Sequence, residues 1–259
     1  MARPSMSTLL ERLPIRHFLG ASIHAVTLDQ AAQICRDAIV SRNRIMVGVV
    51  NVGKLVQMRK DVWLRNSVLG SDLIVADGLP VVWASRILDE PLPERVTGID
   101  LFEKLLDLAD QERFSGYFLG AKQEVLDEML QRIKQRYPNF RCAGSRNGYF
   151  EEADSETIVR EIQKAEPDML FVGISTPKKE LFLQRCQGSL SVPVCHGVGG
   201  SFDVMAGLTT RAPVVMQELG LEWFYRFIQE PRRMWKRYLV TNSTFIAMLA
   251  REWLRKKLG

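Results

Sequence analysis

The chain has 259 residues, 46% hydrophobic and 25% charged, a balance typical of a soluble globular protein rather than a disordered or fibrous one. No apolar run approaches the roughly 18–20 residues that a membrane-spanning helix needs, and the first 19 residues lack the continuous apolar core of a signal peptide. The four cysteines show no Cys-x-x-Cys spacing, which favours reduced core thiols in a cytosolic chain.

The net charge of +5 is concentrated at the carboxyl end of the chain. Residues 222–259 hold nine Arg and Lys against three Glu, a net of +6, so the preceding residues sum to −1. This asymmetry predicts an anionic partner for the carboxyl-terminal segment.

Strand and helix patterns alternate along most of the chain. Residues 1–19 show no clear periodicity and are predicted to form an N-terminal arm. Strands are predicted at about 19–26, 45–50, 71–75, 116–119, 140–145, 169–172 and 192–196. Helices are predicted at about 27–40, 54–69, 80–88, 99–111, 123–137, 155–165 and 177–186. Thr27-Leu-Asp-Gln30 resembles a capping box that opens the first of these helices. The alternation argues for an α/β fold over residues 20–220, with a Rossmann-like, mostly parallel sheet and helices on both faces.

Residues 221–259 differ in kind from the segment before them. Aromatic and aliphatic residues recur at helical spacing, and arginines and lysines occupy the opposite face. The pattern predicts a basic amphipathic helical appendage that lies in a membrane interface. The alternative is a carboxyl-terminal helix packed on the core, with its basic face in solvent.

The carboxyl ends of parallel strands meet at one edge of a sheet, where such folds bind ligands. Asn51, Asp77, Gly120 and the segments 173–177 and 197–200 each follow a predicted strand. We therefore expect them to line a common edge.

Asp77 lies in a predicted strand-to-helix turn. An apolar run precedes it, and Gly78 and Pro80 follow, with Pro80 suited to the first helical turn. The carboxylate could be a general base, or it could be the N-cap of the next helix. Spacing alone leaves both interpretations open.

Two further polar residues near this edge also have two interpretations each. Arg95 could bind an anionic ligand or pair with Glu94. Asp203 could orient the Gly197–Gly200 loop or cap the helix that follows.

Several familiar nucleotide and metal motifs are absent from the sequence. There is no G-x-x-x-x-G-K-[ST] loop, and the glycines at 197–200 do not form the G-x-G-x-x-G that an oxidoreductase or epimerase would need. Backbone amides of that loop could still approach a diphosphate. The three histidines are scattered and no Asp-x-Asp pair occurs, so we expect an enzyme without a metal cofactor.

Taken together, the motifs resemble the WecG/TagA/CpsF glycosyltransferase family. The matching stretches are SDLIVADG (71–78), PERVTGIDL (93–101), TPKKE (176–180), HGVGGSFD (196–203) with AG (206–207), RAP (211–213), and GLEWFYR (220–226) with EPRR (230–233). They occur in the family's order over about residues 20–240.

The resemblance implies a metal-independent fold sometimes called GT-E. Such enzymes transfer a sugar from a UDP-sugar, with inversion, to a polyprenyl-diphosphate-linked saccharide in bacterial surface-glycan synthesis. Asp77 would be the general base that deprotonates the acceptor hydroxyl. The implied substrate-binding residues are Asn51, Arg95, Lys179, Glu180, Gly197, Gly199, Gly200, Asp203, Arg226, Arg233 and Lys236.

The resemblance also implies a location and partners. We expect a cytoplasmic protein, peripheral on the inner face of the cell membrane, that binds the anionic surface through its carboxyl-terminal appendage. No nucleic-acid partner is expected, and a homo-oligomer is left open. The non-enzymatic alternative is a membrane-surface binding module in which Asp77 is only a cap.

Three positions depart from the family pattern. Lys179 stands where the family usually has Gln, Val49 replaces a common polar residue, and Lys236 replaces a frequent Arg. The first two lead us to expect glucose as the donor sugar, as in a GumM-like exopolysaccharide glucosyltransferase branch. The alternative is an N-acetylmannosamine or N-acetylmannosaminuronic acid donor.

Overall fold

The computed structural model describes residues 10–229 and 231–258, apart from the side chains of Arg226, Arg233, Met234 and Arg237. An antiparallel hairpin comes first, formed by β1 (Ile15–Phe18) and β2 (Ala21–His24). The main sheet contains β3 (Ile45–Val50), β4 (Leu73–Ala76), β5 (Ser115–Gly120), β6 (Arg141–Arg146), β7 (Met169–Gly173) and β8 (Val194–Gly197). These six strands are all parallel, in the order β4-β3-β8-β7-β5-β6. The predicted α/β class with a parallel sheet is confirmed.

Helices connect the strands and follow the last of them. They are α1 (Leu28–Ser41), α2 (Val52–Gln57), α3 (Val62–Leu69), α4 (Leu79–Ile87), α5 (Gly98–Glu112), α6 (Gln123–Arg136), α7 (Ser155–Ala165), α8 (Lys178–Cys186), α9 (Ser201–Met205), α10 (Val214–Glu218), α11 (Glu222–Gln229) and α12 (Pro231–Leu258).

Local sequence chemistry sets the start of α1. The Thr27 hydroxyl accepts a hydrogen bond from the Gln30 amide at 3.2 Å, and the Gln30 side chain accepts one from the Thr27 amide at 2.9 Å. This reciprocal pair satisfies two amides that the helix leaves without intrahelical partners. The predicted capping box is confirmed.

The single helix predicted over residues 54–69 is wrong, because the structure contains two helices there. Asp61 has an extended backbone, and its carboxylate accepts from the Leu64 amide at 2.9 Å. An N-cap residue of this kind has non-helical torsions, so the chain must leave the helix before starting α3.

Helices cover both faces of the sheet, as predicted. Val47 and Val49 of β3 pack in one apolar cluster with α1, α5 and α6. Their neighbours Met46 and Val50 point the other way and join the clusters of α7 and α8 and of α2 and α4. Because both faces are covered, every residue of β3 is buried, which explains its unbroken apolar sequence.

The last residues of the predicted N-terminal arm are ordered structure. Residues 15–18 form β1, and Leu19 is buried, with its amide donating to the Glu252 carboxylate of α12 at 3.0 and 3.1 Å. The sequence did not predict this strand, because β1 has only four residues and most of them are exposed, so apolar and polar residues do not alternate clearly. Residues 1–9 of the predicted arm lie outside the described residues.

Helix α12 has features of both interpretations of the carboxyl-terminal segment. Phe245 and Met248 are buried in the cluster of α2 and α4, so its second half packs on the core. Several large apolar side chains along the helix remain exposed, among them Trp235, Leu239, Ile246 and Trp253. Within the described residues, no helix is both long enough and apolar enough to cross a membrane.

Candidate active site

A cavity of about 320 Å³ lies at the carboxyl ends of β3, β4, β7 and β8. Residues from the loops that follow these strands line it, as expected of a ligand site at the carboxyl edge of a parallel sheet. The predicted site residues among its lining are Asn51, Asp77, Lys179, Gly197, Gly199 and Gly200. Residues that sequence reasoning did not assign to the site include Lys54, Thr97, Gly98, Arg211 and Glu222.

Asp77 is half-buried at the end of β4, and its carboxylate does not cap the next helix. Gly78 occupies the N-cap position of α4, with φ of 101°, and no side chain caps that helix. The Asp77 amide donates to the Val50 carbonyl at 2.8 Å, while its Oδ2 accepts from Asn51 Nδ2 at 3.3 Å. The cap interpretation is therefore wrong. Gly78 occupies the N-cap position, and the Asp77 carboxylate lines the cavity instead.

Three buried charged side chains cluster at this part of the cavity: Lys54 and Lys179 on its wall, and Glu180 behind them. Lys54 Nζ pairs with Glu180 Oε1 at 2.8 Å and donates to the Val49 carbonyl at 2.7 Å. Lys179 Nζ lies 3.5 Å from the same carboxylate oxygen. Two cations thus share one buried carboxylate, and the cluster has a net positive charge.

Burial and mutual charge change the proton affinity of this cluster. Burial lowers the pKa of Lys179 to about 8, and repulsion from Lys54 adds to that shift, whereas Glu180 and Asp77 oppose it. Burial by itself would raise the pKa of Glu180, but Lys54 and Lys179 outweigh it and hold that pKa below its usual range. Glu180 is therefore an anion at neutral pH. The pKa of Lys179, about 8, lies only slightly above neutral pH.

The Gly197–Gly200 loop makes room for the Lys179 side chain. A Cβ atom on Gly197 would lie 2.7 Å from Lys179 Cδ, and one on Gly199 would lie 3.6 Å from Lys179 Nζ. Gly199 also has a φ of 57°, which favours glycine. The amides of Val198 and Gly199 both donate to the Val172 carbonyl, so they are engaged within the fold rather than directed at a ligand.

A family model described as "Glycosyl transferase WecG/TagA/CpsF family" matches residues 16–259, nearly the whole chain. The chain belongs to this family. It is therefore a glycosyltransferase, as the sequence motifs predicted.

Named relatives of this glycosyltransferase share one activity in their names, N-acetylglucosaminyldiphosphoundecaprenol N-acetyl-beta-D-mannosaminyltransferase. The protein from Bacillus spizizenii is 37% identical over 187 residues, 72% of each chain. The one from Bacillus subtilis strain 168 is 37% identical over 182 residues, 70% of each chain. The one from Staphylococcus aureus strain MW2 is 39% identical over 164 residues, 63% of this chain and 62% of its own.

Arg95 of the glycosyltransferase lies behind the cavity rather than on its wall. Its guanidinium pairs with Glu222 at 2.7 Å and donates to the Gln217 side chain at 3.2 Å. The alternative pairing with Glu94 is wrong, since Glu94 accepts from the Leu28 amide at 2.6 Å instead. Arg95 therefore holds Glu222, which does line the cavity.

Other predicted site residues of the glycosyltransferase lie away from the cavity wall. Glu180 is buried behind it, and Asp203 lies in the first turn of α9, where Gly200 and not Asp203 is the N-cap. Gly120 packs against Gly173, whose backbone would be 2.5 Å from an added Cβ atom. Lys236 is exposed on α12. The side chains of Arg226 and Arg233 lie outside the described residues.

Lys54 is the residue of this site that sequence reasoning missed most clearly. It is buried in the first turn of α2, three residues after Asn51, whose Oδ1 accepts from the Lys54 amide at 3.0 Å. The sequence signal for it was a lysine in the first helical turn after a fully apolar strand, at the edge of the sheet where ligands bind. A lysine is seldom buried without a partner, and the partner here is Glu180.

His196 is a buried group that contacts Gly98, a residue of the cavity wall. Its Nε2 donates to the Gly98 carbonyl at 3.0 Å, at the start of α5, and burial lowers its pKa to about 4. The ring is therefore neutral at pH 7. Cys195, its neighbour on β8, packs in the apolar cluster of α7 and α8, because successive side chains of a strand point to opposite faces of the sheet.

Within residues 10–229 and 231–258, no group of three or more His, Cys, Asp and Glu side chains is placed to hold a metal ion.

Proposed function

We propose that this glycosyltransferase moves an N-acetylmannosaminyl unit, with inversion, from a UDP-linked donor to a polyprenyl-diphosphate-linked saccharide. Asp77 carries the proposal. Its carboxylate is free of any capping role, is oriented by Asn51, and opens onto a cavity within the size range of small-molecule sites.

The named relatives support N-acetylmannosamine as the donor sugar better than glucose. Their names specify the N-acetylmannosaminyl group, whereas the expectation of a GumM-like glucosyltransferase rested on Val49 and Lys179. Both residues do line the cavity, so they are placed to contact a donor of either kind.

The proposed reaction needs one base and one source of positive charge. The acceptor hydroxyl attacks the anomeric carbon of the donor and gives its proton to Asp77. The bond between that carbon and the UDP oxygen breaks on the opposite face, so the configuration inverts and UDP leaves with the bonding electrons. Lys179, on the cavity wall, would stabilise the charge that develops on the diphosphate. Glu180, itself paired with Lys54, holds Lys179 in place.

A lipid-linked acceptor places the enzyme at a membrane, and α12 has a surface suited to one. Trp235 and Leu239 are exposed on this helix, and so are the basic side chains of Arg232 and Lys236, close to them in sequence. Aromatic and aliphatic side chains beside basic ones suit an anionic bilayer surface. We propose that the protein is peripheral on the inner face of the cell membrane.

The test is a donor screen with the full chain and one acceptor, N-acetylglucosamine linked to a short polyprenyl diphosphate. UDP-N-acetylmannosamine should be the best donor, ahead of UDP-N-acetylmannosaminuronic acid and UDP-glucose, and EDTA should leave turnover unchanged. A preference for UDP-glucose would restore the GumM-like assignment. Absence of transfer from every UDP-sugar would overturn the proposed function, and strict dependence on added metal would contradict the mechanism.

A further inference from the structure

A second cavity, of about 490 Å³, lies on the core where α12 packs. Its walls come from the turn between β1 and β2, from α2 and α3, and from the second half of α12. The lining residues are Leu19, Gly20, Leu55, Met58, Arg59, Arg65, Met248, Arg251, Glu252 and Arg255. None of them lines the catalytic cavity, so this arginine cleft is a separate site.

The four arginines of the cleft have no carboxylate partner among the residues that the structure describes. They come from three separate elements, yet they line one cavity. Arg251 and Arg255 are four residues apart on α12 and therefore share a helix face. Like charges at this spacing destabilise a helix, so the arrangement does not serve stability.

The single acid in the cleft is already engaged. Both carboxylate oxygens of Glu252 accept from the Leu19 amide, at 3.0 and 3.1 Å. The cleft therefore has four arginines, and its one carboxylate serves to hold the hairpin to α12.

The floor of the cleft is apolar. Leu19, Leu55, Met58 and Met248 line it and belong to the buried cluster beneath. A site with guanidinium groups on its rim and aliphatic side chains on its floor matches a ligand that has both a phosphate and an apolar chain. Guanidinium groups bind phosphate oxygens in pairs of parallel hydrogen bonds.

We propose that the arginine cleft binds a phosphate ester that carries an apolar chain, at a site distinct from the catalytic cavity. The phosphate contacts Arg59, Arg65, Arg251 and Arg255, and the first carbons of the chain lie on the methionines and leucines of the floor. Helix α2 links the two sites, since Asn51 precedes it at the catalytic cavity and Leu55 lies in the cleft.

The test is isothermal titration calorimetry on the full chain at fixed ionic strength. The probes are dihexanoylphosphatidic acid below its micellar concentration, glycerol 3-phosphate and inorganic phosphate. We expect saturable binding of the lipid to one site, at least tenfold tighter than binding of glycerol 3-phosphate. Equal affinities would overturn the role of the apolar floor, and absence of saturable lipid binding would overturn the proposal.

The matched variants separate a built site from general attraction to a basic protein. Arg251→Gln with Arg255→Gln should weaken lipid binding about tenfold or more, because two charge-assisted contacts are lost. The control is Arg160→Gln with Lys164→Gln, which removes the same charge at the same spacing on α7. An equal loss in the control would overturn the proposal. Neither pair lines the catalytic cavity, so transfer to a soluble acceptor should be unchanged, and a failed donor screen would leave this test intact.

Discussion

The side-chain amide of Asn51 joins Asp77 to the first turn of α2. Its Nδ2 donates to Asp77 Oδ2 at 3.3 Å, while its Oδ1 accepts from the Lys54 amide at 3.0 Å. One side chain thus fixes the orientation of the carboxylate and the start of the helix that carries Lys54. Because Asn51 cannot exchange a proton in this role, it orients the carboxylate without competing for the acceptor's proton.

Asp77→Asn should lower kcat by roughly 10²–10⁴-fold, because the acceptor hydroxyl then lacks its base. Thermal stability and UDP affinity should stay near those of the parent, since Asp77 caps no helix. Steady-state transfer assays and thermal melts measure the two effects. The control is Asp89→Asn, an exposed acid outside the cavity, which should retain full activity. Turnover retained in Asp77→Asn would sink the base assignment.

Donor binding should weaken as pH rises through about 8. Burial lowers the pKa of Lys179 to about 8, so above that pH the side chain becomes neutral and loses its attraction for a diphosphate. The KM for the UDP-sugar should therefore rise on the alkaline side. Lys179→Gln is neutral at every pH, so its KM should be higher and independent of pH in this range. A KM profile that is the same in the parent and in the variant would contradict this role for Lys179.

Lys54→Met should destabilise the fold by about 3 kcal/mol, since the buried Glu180 carboxylate loses its 2.8 Å partner. Adding Glu180→Gln should recover much of that loss, because the buried charge is then removed. Urea unfolding of the parent, both single variants and the double variant gives the coupling energy. If the losses of unfolding free energy in the two single variants added up to the loss in the double variant, Lys54 and Glu180 would not be coupled, and this prediction would be wrong.

Stability should fall on acidification between about pH 6.5 and pH 4. His196 is neutral in the fold with a pKa near 4, whereas the same ring in the unfolded chain takes up a proton near pH 6.5. The unfolded state thus binds more protons in this window, and the free energy of unfolding decreases as pH falls. Burial also lowers the pKa of His24, which adds in the same direction. Urea unfolding of His196→Gln should show a shallower slope, and an unchanged slope would exclude His196 as a source.

Trp235→Ser with Leu239→Ser should reduce binding to vesicles that contain anionic lipid, since both side chains are exposed on α12. The matched control is Val62→Ser with Trp63→Ser, a similarly exposed pair on α3. Vesicle co-sedimentation compares the two, and thermal melts should show little change in either. Equal losses in both pairs would argue against α12 as the membrane surface. Point changes are preferable to truncation because Phe245 and Met248 belong to the core.

Features that depend on a few neighbouring residues were readable from the sequence. The capping box at Thr27 needs only four residues, and the buried strand β3 shows itself as one unbroken apolar run. The placement of Asp77 at a strand-to-helix turn follows from its flanking apolar run, Gly78 and Pro80. The family motifs added the enzyme class, because they recur in a fixed order.

Pairings between distant segments were decided by the tertiary structure alone. Strand order places β3 between β4 and β8, which brings Asn51 and Asp77 into contact and sets Lys54 against Glu180. No local rule relates those positions, because a long-range contact depends on how strands are ordered in the sheet. The same holds for the arginine cleft, where α12 returns to α2 and α3. For Asp77, spacing alone left a cap and a base open, the family resemblance implied the base, and the N-cap position of Gly78 in the structure excluded the cap.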